Sequence, residues 1–316
     1  MTGNEFLDLM ERSRRRAAVA GTLENGIIVG LDLEGRLFTV MNGRVLSRVV
    51  SEAILERSDR NRFLNPGGDA LWPGPEGTRF GYEYATGVWR VPPSITGAVW
   101  LVRQPARPER GTSFLEIEAE VDLVNSLQVG LPVLLRRRIE CETQNGILVQ
   151  RVTETIRYLG TRTLGRDEFL LVPWSLCQFD YGEGSVYRFP LNSKSDRWDF
   201  YAPSEKRQKI EDGICEVAVP TDERFQIGIG ENVPCVEYFY PGHFKLTRYI
   251  EGDIDGRFSD IADADSSAMP SDRGTKFSVY CDPSGFTEVE ACGGSLDRLE
   301  PGYETSVTIV TKFEVL

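Results

Sequence analysis

The 316-residue sequence predicts an all-β fold built from two large antiparallel sheets packed face to face, and three observations carry that expectation. Turn dipeptides recur at eight- to nine-residue spacing near the start: Asn25-Gly26, Glu34-Gly35 and Asn42-Gly43. Several long stretches alternate apolar and polar residues with the period of a half-buried strand. Helical periodicity is scarce, while strand candidates are too numerous for one small sandwich.

The elements follow in order. Residues 4–18 predict a short helix, with Phe6, Leu7 and Met10 on one face and four arginines near its end. Residues 25–50 read as a meander, because Asn-Gly supplies the positive φ angles of a tight hairpin turn. In SFLEIEAEVDLV, Leu115, Ile117, Ala119 and Val121 alternate with Phe114, Glu116, Glu118 and Glu120, giving one apolar and one wet face. LLRRRIECETQNGILVQRVTETIRYLG predicts two long strands joined at Asn145-Gly146. Its run Arg136–Arg138 reads as a solvated strand edge with one arginine turned inward. EFLLVPWSLCQF is uniformly apolar, as a strand covered on both faces would be. ETSVTIVTKFEVL closes the chain as another strand. Residues 193–213 read as a long surface loop, and 250–274 is the most loop-like stretch of all. No linker, repeat or low-complexity segment divides the chain. The expected organisation is an N-terminal helix or extension over 1–20 and one β-sandwich domain over 21–316.

Composition narrows the function. There are 36 Lys+Arg against 48 Asp+Glu, a net charge of −12, which argues against a nucleic-acid partner. No apolar run approaches the ~18 residues of a membrane-spanning helix. The arginines at 12–16 lead only into AAVAG, shorter than the ~7–15 apolar residues of an export signal, so a cytoplasmic location is expected. The six cysteines form no C-x-x-C pair and read as reduced thiols. The single histidine, His243, excludes three-histidine and H-E-x-x-H zinc sites. No G-x-S-x-G elbow or phosphate loop is present, and GIGEN lacks the full dinucleotide fingerprint. The aspartates at 253, 255, 260, 263 and 265 do not have calcium-loop spacing and read as a solvated acidic loop rather than a metal site. No cofactor is implied.

The most distinctive segment is 61–95, with Gly67, Gly68, Asp69, Trp72, Pro75, Glu76, Trp89 and Pro92. It resembles the early Gly-Gly-Asp/Glu, Trp, Pro-Glu and Trp-x-x-Pro segments of the galactose mutarotase-like (aldose 1-epimerase-like) β-supersandwich proteins. FLLVPWSLCQF is similar to their central strand, and LEPGYETSVTIVTKF to their closing strand. The three lie in the right order across about residues 20–316. The resemblance implies the supersandwich fold and a concave sheet face that meets a sugar, where aromatic rings lie on C–H faces and carboxylates or arginines bind hydroxyls.

In the epimerases that the chain resembles, a late Glu takes the proton from the anomeric hydroxyl and a mid-chain His protonates the ring oxygen. FTEVEACGG supplies Glu290 as the expected base and Glu288 as its alternative, both on one strand face. The central histidine is replaced by Cys177 and Gln178, which leaves His243 as the sole imidazole able to act as acid. Trp72, Glu76, Arg79, Gln178 and Lys245 complete the expected sugar-binding set. The leading expectation is therefore epimerase-type acid–base chemistry on a carbohydrate ligand. The alternatives are a non-catalytic carbohydrate-binding or sugar-sensing protein, and a sugar hydrolase or lyase. The oligomeric state is not readable.

Overall fold

The computed structural model describes residues 1–59, 62–82, 91–105, 114–220 and 222–316. Trp89, one of the residues carrying the resemblance, lies outside them. Two antiparallel sheets of ten strands each dominate the chain. The first runs, in spatial order, through Ala17–Gly21, Asn25–Gly30, Arg36–Met41, Asp69–Gly74, Val172–Asp180, Phe286–Cys292, Phe277–Asp282, Phe225–Ile229 and Arg197–Asp199, with Arg44–Val45 as a side branch. The second runs through Gln208–Glu211, Ile214–Ala218, Val186–Pro190, Cys235–Tyr240, Phe244–Glu251, Glu304–Val315, Ile147–Tyr158, Gly130–Gln144, Phe114–Val124 and Leu101–Gln104. The expected all-β supersandwich is thus the architecture observed.

Alternation decides what fills the space between the sheets. Cys177, Phe179, Val289, Val279 and Ile227 face inward from the first sheet. They pack on Tyr238, Leu246, Ile309 and Phe313 from the second. The apolar Val172–Asp180 strand is central and almost wholly buried, as its composition predicts. Glu34-Gly35, Asn42-Gly43 and Asn145-Gly146 each take two positive φ angles at chain reversals. Asn25-Gly26 instead begins a strand, and the reversal occurs just before it, at residues 22–24, after Gly21 with φ 78°.

The N-terminal helix is Gly3–Arg12, shorter than the pattern suggests. Thr2 and Glu5 form a capping box at its start. Arg14 adopts φ 53°, which ends it, and Ala17–Gly21 becomes the edge strand of the first sheet. Phe6, Leu9 and Met10 cover Ile28, Phe38 and Val40 on that sheet's outer face. The polar 193–213 stretch is not a plain loop: it holds the edge strands Arg197–Asp199 and Gln208–Glu211. Among the described residues, no helix is long and apolar enough to cross a membrane. The six cysteines are unpaired thiols.

Arg136–Arg138 lies on an interior strand, not an edge. Arg137 does turn inward. Its guanidinium bonds Glu154 at 2.6 Å and Asp69 at 3.3 Å. Arg248 reaches the other Asp69 oxygen at 3.0 Å and also bonds Ser175 at 2.6 Å. Two guanidiniums and two carboxylates therefore form a neutral cluster sealed between the sheets. Arg248 also donates to the carbonyl of Val289, the residue between Glu288 and Glu290.

Candidate functional site

The outer face of the first sheet carries a pocket of ≈ 280 Å³, just below the ~300–1,000 Å³ range of small-molecule sites. Register builds its floor. Leu176 stands opposite Glu290, and Glu290 opposite Ser278. One row further, Gln178, Glu288, Tyr280 and Gln226 stand side by side across four strands. All point outward because they share the alternation that sends Cys177 and Val289 into the core. Trp72 and Trp174 are cross-strand neighbours at one end, edge to face with centroids 6.3 Å apart.

Glu288 and Glu290 lie two residues apart on one strand, with their carboxyls close enough to perturb one another. Trp174 Nε1 donates to Glu290 at 3.0 Å, and Gln226 Nε2 reaches both Glu290 oxygens at 3.1 Å. Gln178 Nε2 donates to Glu288 at 2.6 Å. Burial is the main force on both acids and disfavours their charged forms. Glu288 is pushed up to about 7, its rise moderated by the bonds from Glu290 and Gln178. Glu290 is pushed well above the carboxylate range by burial and then by the charge of Glu288. Burial and mutual repulsion therefore disfavour ionising both acids together. The Oε1 of Gln178, itself buried, accepts no hydrogen bond from the described residues.

Loops raise the walls. Tyr201, Arg224, Asp263, Glu76 and Phe63 come from segments far apart in sequence. The Arg224 guanidinium lies 3.8 Å from the Tyr201 ring centroid and 3.8 Å from Asp263. Behind Trp72, the buried Arg36–Glu34 pair closes at 2.9 Å, and Arg36 also bonds Asn65 at the pocket edge.

Of the expected site residues, Trp72, Glu76, Gln178 and Glu290 line this pocket. Arg79 does not. Gly77 sits so close to the 262–264 backbone that a Cβ would lie 2.1 Å from Ala264 N, and Thr78 takes φ 65°. The chain turns there, and Arg79 faces a separate cleft beside Met269. His243 and Lys245 belong to the second sheet. The Pro241-Gly242 turn places His243 at an exposed hairpin tip, stacked on Tyr240 at 4.1 Å. Lys245 faces outward and pairs with Glu237 at 2.7 Å. Glu290 and His243 therefore do not converge. His243→Asn is expected to leave ligand affinity unchanged and stability within about 0.5 kcal/mol. A tenfold affinity loss in titration would return His243 to the site.

Trp174 is not among the expected site residues, yet its indole holds Glu290. Tyr201, Arg224, Gln226 and Tyr280 had no marker in the sequence. Gln226 and Tyr280 sit on strands whose alternation would have placed them beside Glu288 once the register was known. Past the end of the Phe244–Glu251 strand, the acidic 250–274 stretch is a loop. Asp260 accepts from the backbone of Ala262 and Ser271, and Asp265 from that of Ser267. Among the described residues, no three metal-ligating side chains are grouped to hold an ion.

No family model and no curated protein matches the sequence. Solved structures do match over nearly the whole chain. The Slr1438 protein from Synechocystis is 11% identical, with 95% of each chain covered and a TM-score of 0.56. A galactose mutarotase-like protein from Lactobacillus casei is 12% identical, covering 95% of this chain and 100% of that one, with a TM-score of 0.55. A galactose mutarotase-like protein from Clostridium acetobutylicum is 11% identical, with 93% of each covered and a TM-score of 0.54. With the sheet order and these overlaps together, the chain has the galactose mutarotase-like fold, at a distance where fold alone is shared.

Proposed function

We propose that this chain is a carbohydrate-active protein that performs epimerase-type acid–base chemistry at the Glu288–Glu290 pair. The observation that carries the reading is a pair of buried glutamates, two residues apart on one strand, on the floor of an aromatic-walled pocket. Anomer exchange of an aldose needs a base at the anomeric hydroxyl and an acid at the ring oxygen, and both oxygens are bonded to C1. Acid and base must therefore be neighbours. A carboxylate and a carboxylic acid side by side on one strand face meet that demand without a histidine. The carboxylate takes the hydroxyl proton as the acid gives its own to the ring oxygen. The C1–O bond opens, C1 rotates, and the two transfers reverse. Gln178 Oε1 supports the reading as an acceptor for a sugar hydroxyl, and Trp72 and Trp174 as apolar platforms.

A second reading, a sugar-binding protein without catalysis, is favoured by the position of His243 on the other sheet. The test is a ligand-observed NMR screen of free aldoses, followed by exchange spectroscopy on those that bind. Faster anomer exchange supports catalysis. Binding without acceleration selects the second reading, and failure of every sugar to bind removes both.

A further inference from the structure

The cleft that receives Arg79 is a cavity of ≈ 470 Å³, inside the ~300–1,000 Å³ range of small-molecule sites. Among the described residues it shares no lining side chain with the pocket of the carboxyl pair. Backbone pairing separates the two. Gly77, Thr78 and Arg79 donate their N–H groups to the carbonyls of Ala262, Ala264 and Ala268. Glu76 is left on the first pocket and Arg79 on this one.

Four guanidiniums line the cavity, those of Arg79, Arg166, Arg257 and Arg273. Arg166 and Arg257 share one carboxylate, Asp297, the latter at 3.9 Å. Arg273 lies 5.7 Å from the Trp198 ring centroid. Arg79 has no carboxylate partner. Its Nη1 meets only Met269 Sδ at 3.4 Å, a weak acceptor, and its guanidinium lies 5.5 Å from the Phe80 centroid. Its Nε is shut off from water without an acceptor among the described residues, a state that native structures seldom leave uncorrected. Asp260 is engaged by the backbone N–H groups of Ala262 and Ser271. Asp167 and Asp272 are exposed and pair with none of the four arginines. Counting Asp297, carboxylates and guanidiniums are equal in number. The pointer to a ligand is therefore the unpartnered fork of Arg79, not a surplus of charge. Phe80 and Phe169 add a buried apolar wall. A planar two-donor fork beside phenyl rings is the chemistry that recognises an oxyanion on an apolar body.

We propose that this cavity is a second binding site, for a small organic anion whose carboxylate or phosphate seats on Arg79. The probes share one ring: benzoate, phenyl phosphate, neutral benzyl alcohol and cationic benzylamine. Each is titrated into the full chain labelled with ¹³C at its methionine methyls. Met269 is the one of four methionines that lines the cavity, so its resonance reports binding there. Benzoate or phenyl phosphate is expected to shift it with a Kd of about 1 mM or tighter, at least about tenfold below the alcohol and the amine. The better of the two identifies the head group. Arg79→Gln should abolish the preference, and Arg79→Lys should keep part of it, as a point charge without the fork. Arg79→Gln should hold its thermal midpoint, because no ion pair is lost; if it unfolds, Arg273→Gln carries the same comparison. An alcohol or amine that binds as tightly, anions that leave Met269 unmoved, or a Gln variant that keeps the preference overturns the proposal. None of these outcomes bears on the carboxyl pair, which lies in the other pocket.

Discussion

Glu290→Gln is expected to slow anomer exchange by about 10²–10⁴-fold, the usual worth of a positioned acid–base group, while the protein stays folded. The substitution keeps the side-chain volume and can still accept from Trp174 and Gln226, which hold Glu290 now. It removes one of the two proton-exchanging carboxyls on which the mechanism depends. Glu288→Gln is expected to cost a comparable factor, and the double variant little more than either single one, because the pair works as a unit. Stability supplies an independent reading. Glu290 has a raised pKa in the folded state, so native protein holds a proton that unfolded protein has lost above the ordinary value of 4.5. Its burial therefore costs nothing below that value and destabilises progressively as pH rises through it. The Gln variant escapes this penalty, and its thermal midpoint should exceed that of the parent by more at pH 8 than at pH 5. Full turnover in Glu290→Gln would move the chemistry elsewhere. A variant that unfolds would make Glu290 a structural residue.

The carboxyl pair was legible in the sequence because strand alternation alone sets residues i and i+2 on one face. The same rule turns one of the three consecutive arginines at 136–138 inward. What it could not give was which sheet each strand joins. His243 and Lys245 were attractive as the lone imidazole and a nearby cation, yet both ride a hairpin of the opposite sheet. That depends on pairings between strands distant in sequence. The walls were hidden for a related reason. Tyr201, Arg224 and Asp263 meet through packing of irregular segments, which leave no periodic signal. The Glu76–Arg79 pair shows the finer limit: the close approach of Gly77 to Ala264 sends two side chains from one short loop to different clefts. The fold needed only turns, periods and order, and it was readable at 11–12% identity to the structures that share it.

Arg137→Met is expected to cost about 3–5 kcal/mol of folding stability, the penalty for stranding buried charge. Arg137 is fully enclosed and donates to five acceptors: both Glu154 oxygens, Asp69 Oδ1, and the carbonyls of Gly35 and Asp69. Without it, two buried carboxylates face Arg248 alone. Glu154 already titrates high, since burial outweighs its attraction to Arg137. In the variant it should take up a proton on folding. The loss should therefore be smallest near pH 5 and grow as pH rises, because the folded state then has to hold a proton that the unfolded chain releases above 4.5. Asp69 behaves oppositely in the parent: burial pushes it up, but Arg248 and Arg137 together bring it below its ordinary value. Its contribution in the parent is present above 3.8 and is lost as pH falls. Adding Glu154→Leu to Arg137→Met removes both members of the closest pair and should recover part of the loss, since Asp69 keeps Arg248 at 3.0 Å. Urea unfolding of the three proteins at pH 5 and pH 8 measures each step. A single variant as stable as the parent at pH 8 would mean that the cluster contributes nothing net to the join between the sheets. Arg248 would then brace Val289, and with it the Glu288–Glu290 pair, without help from Arg137.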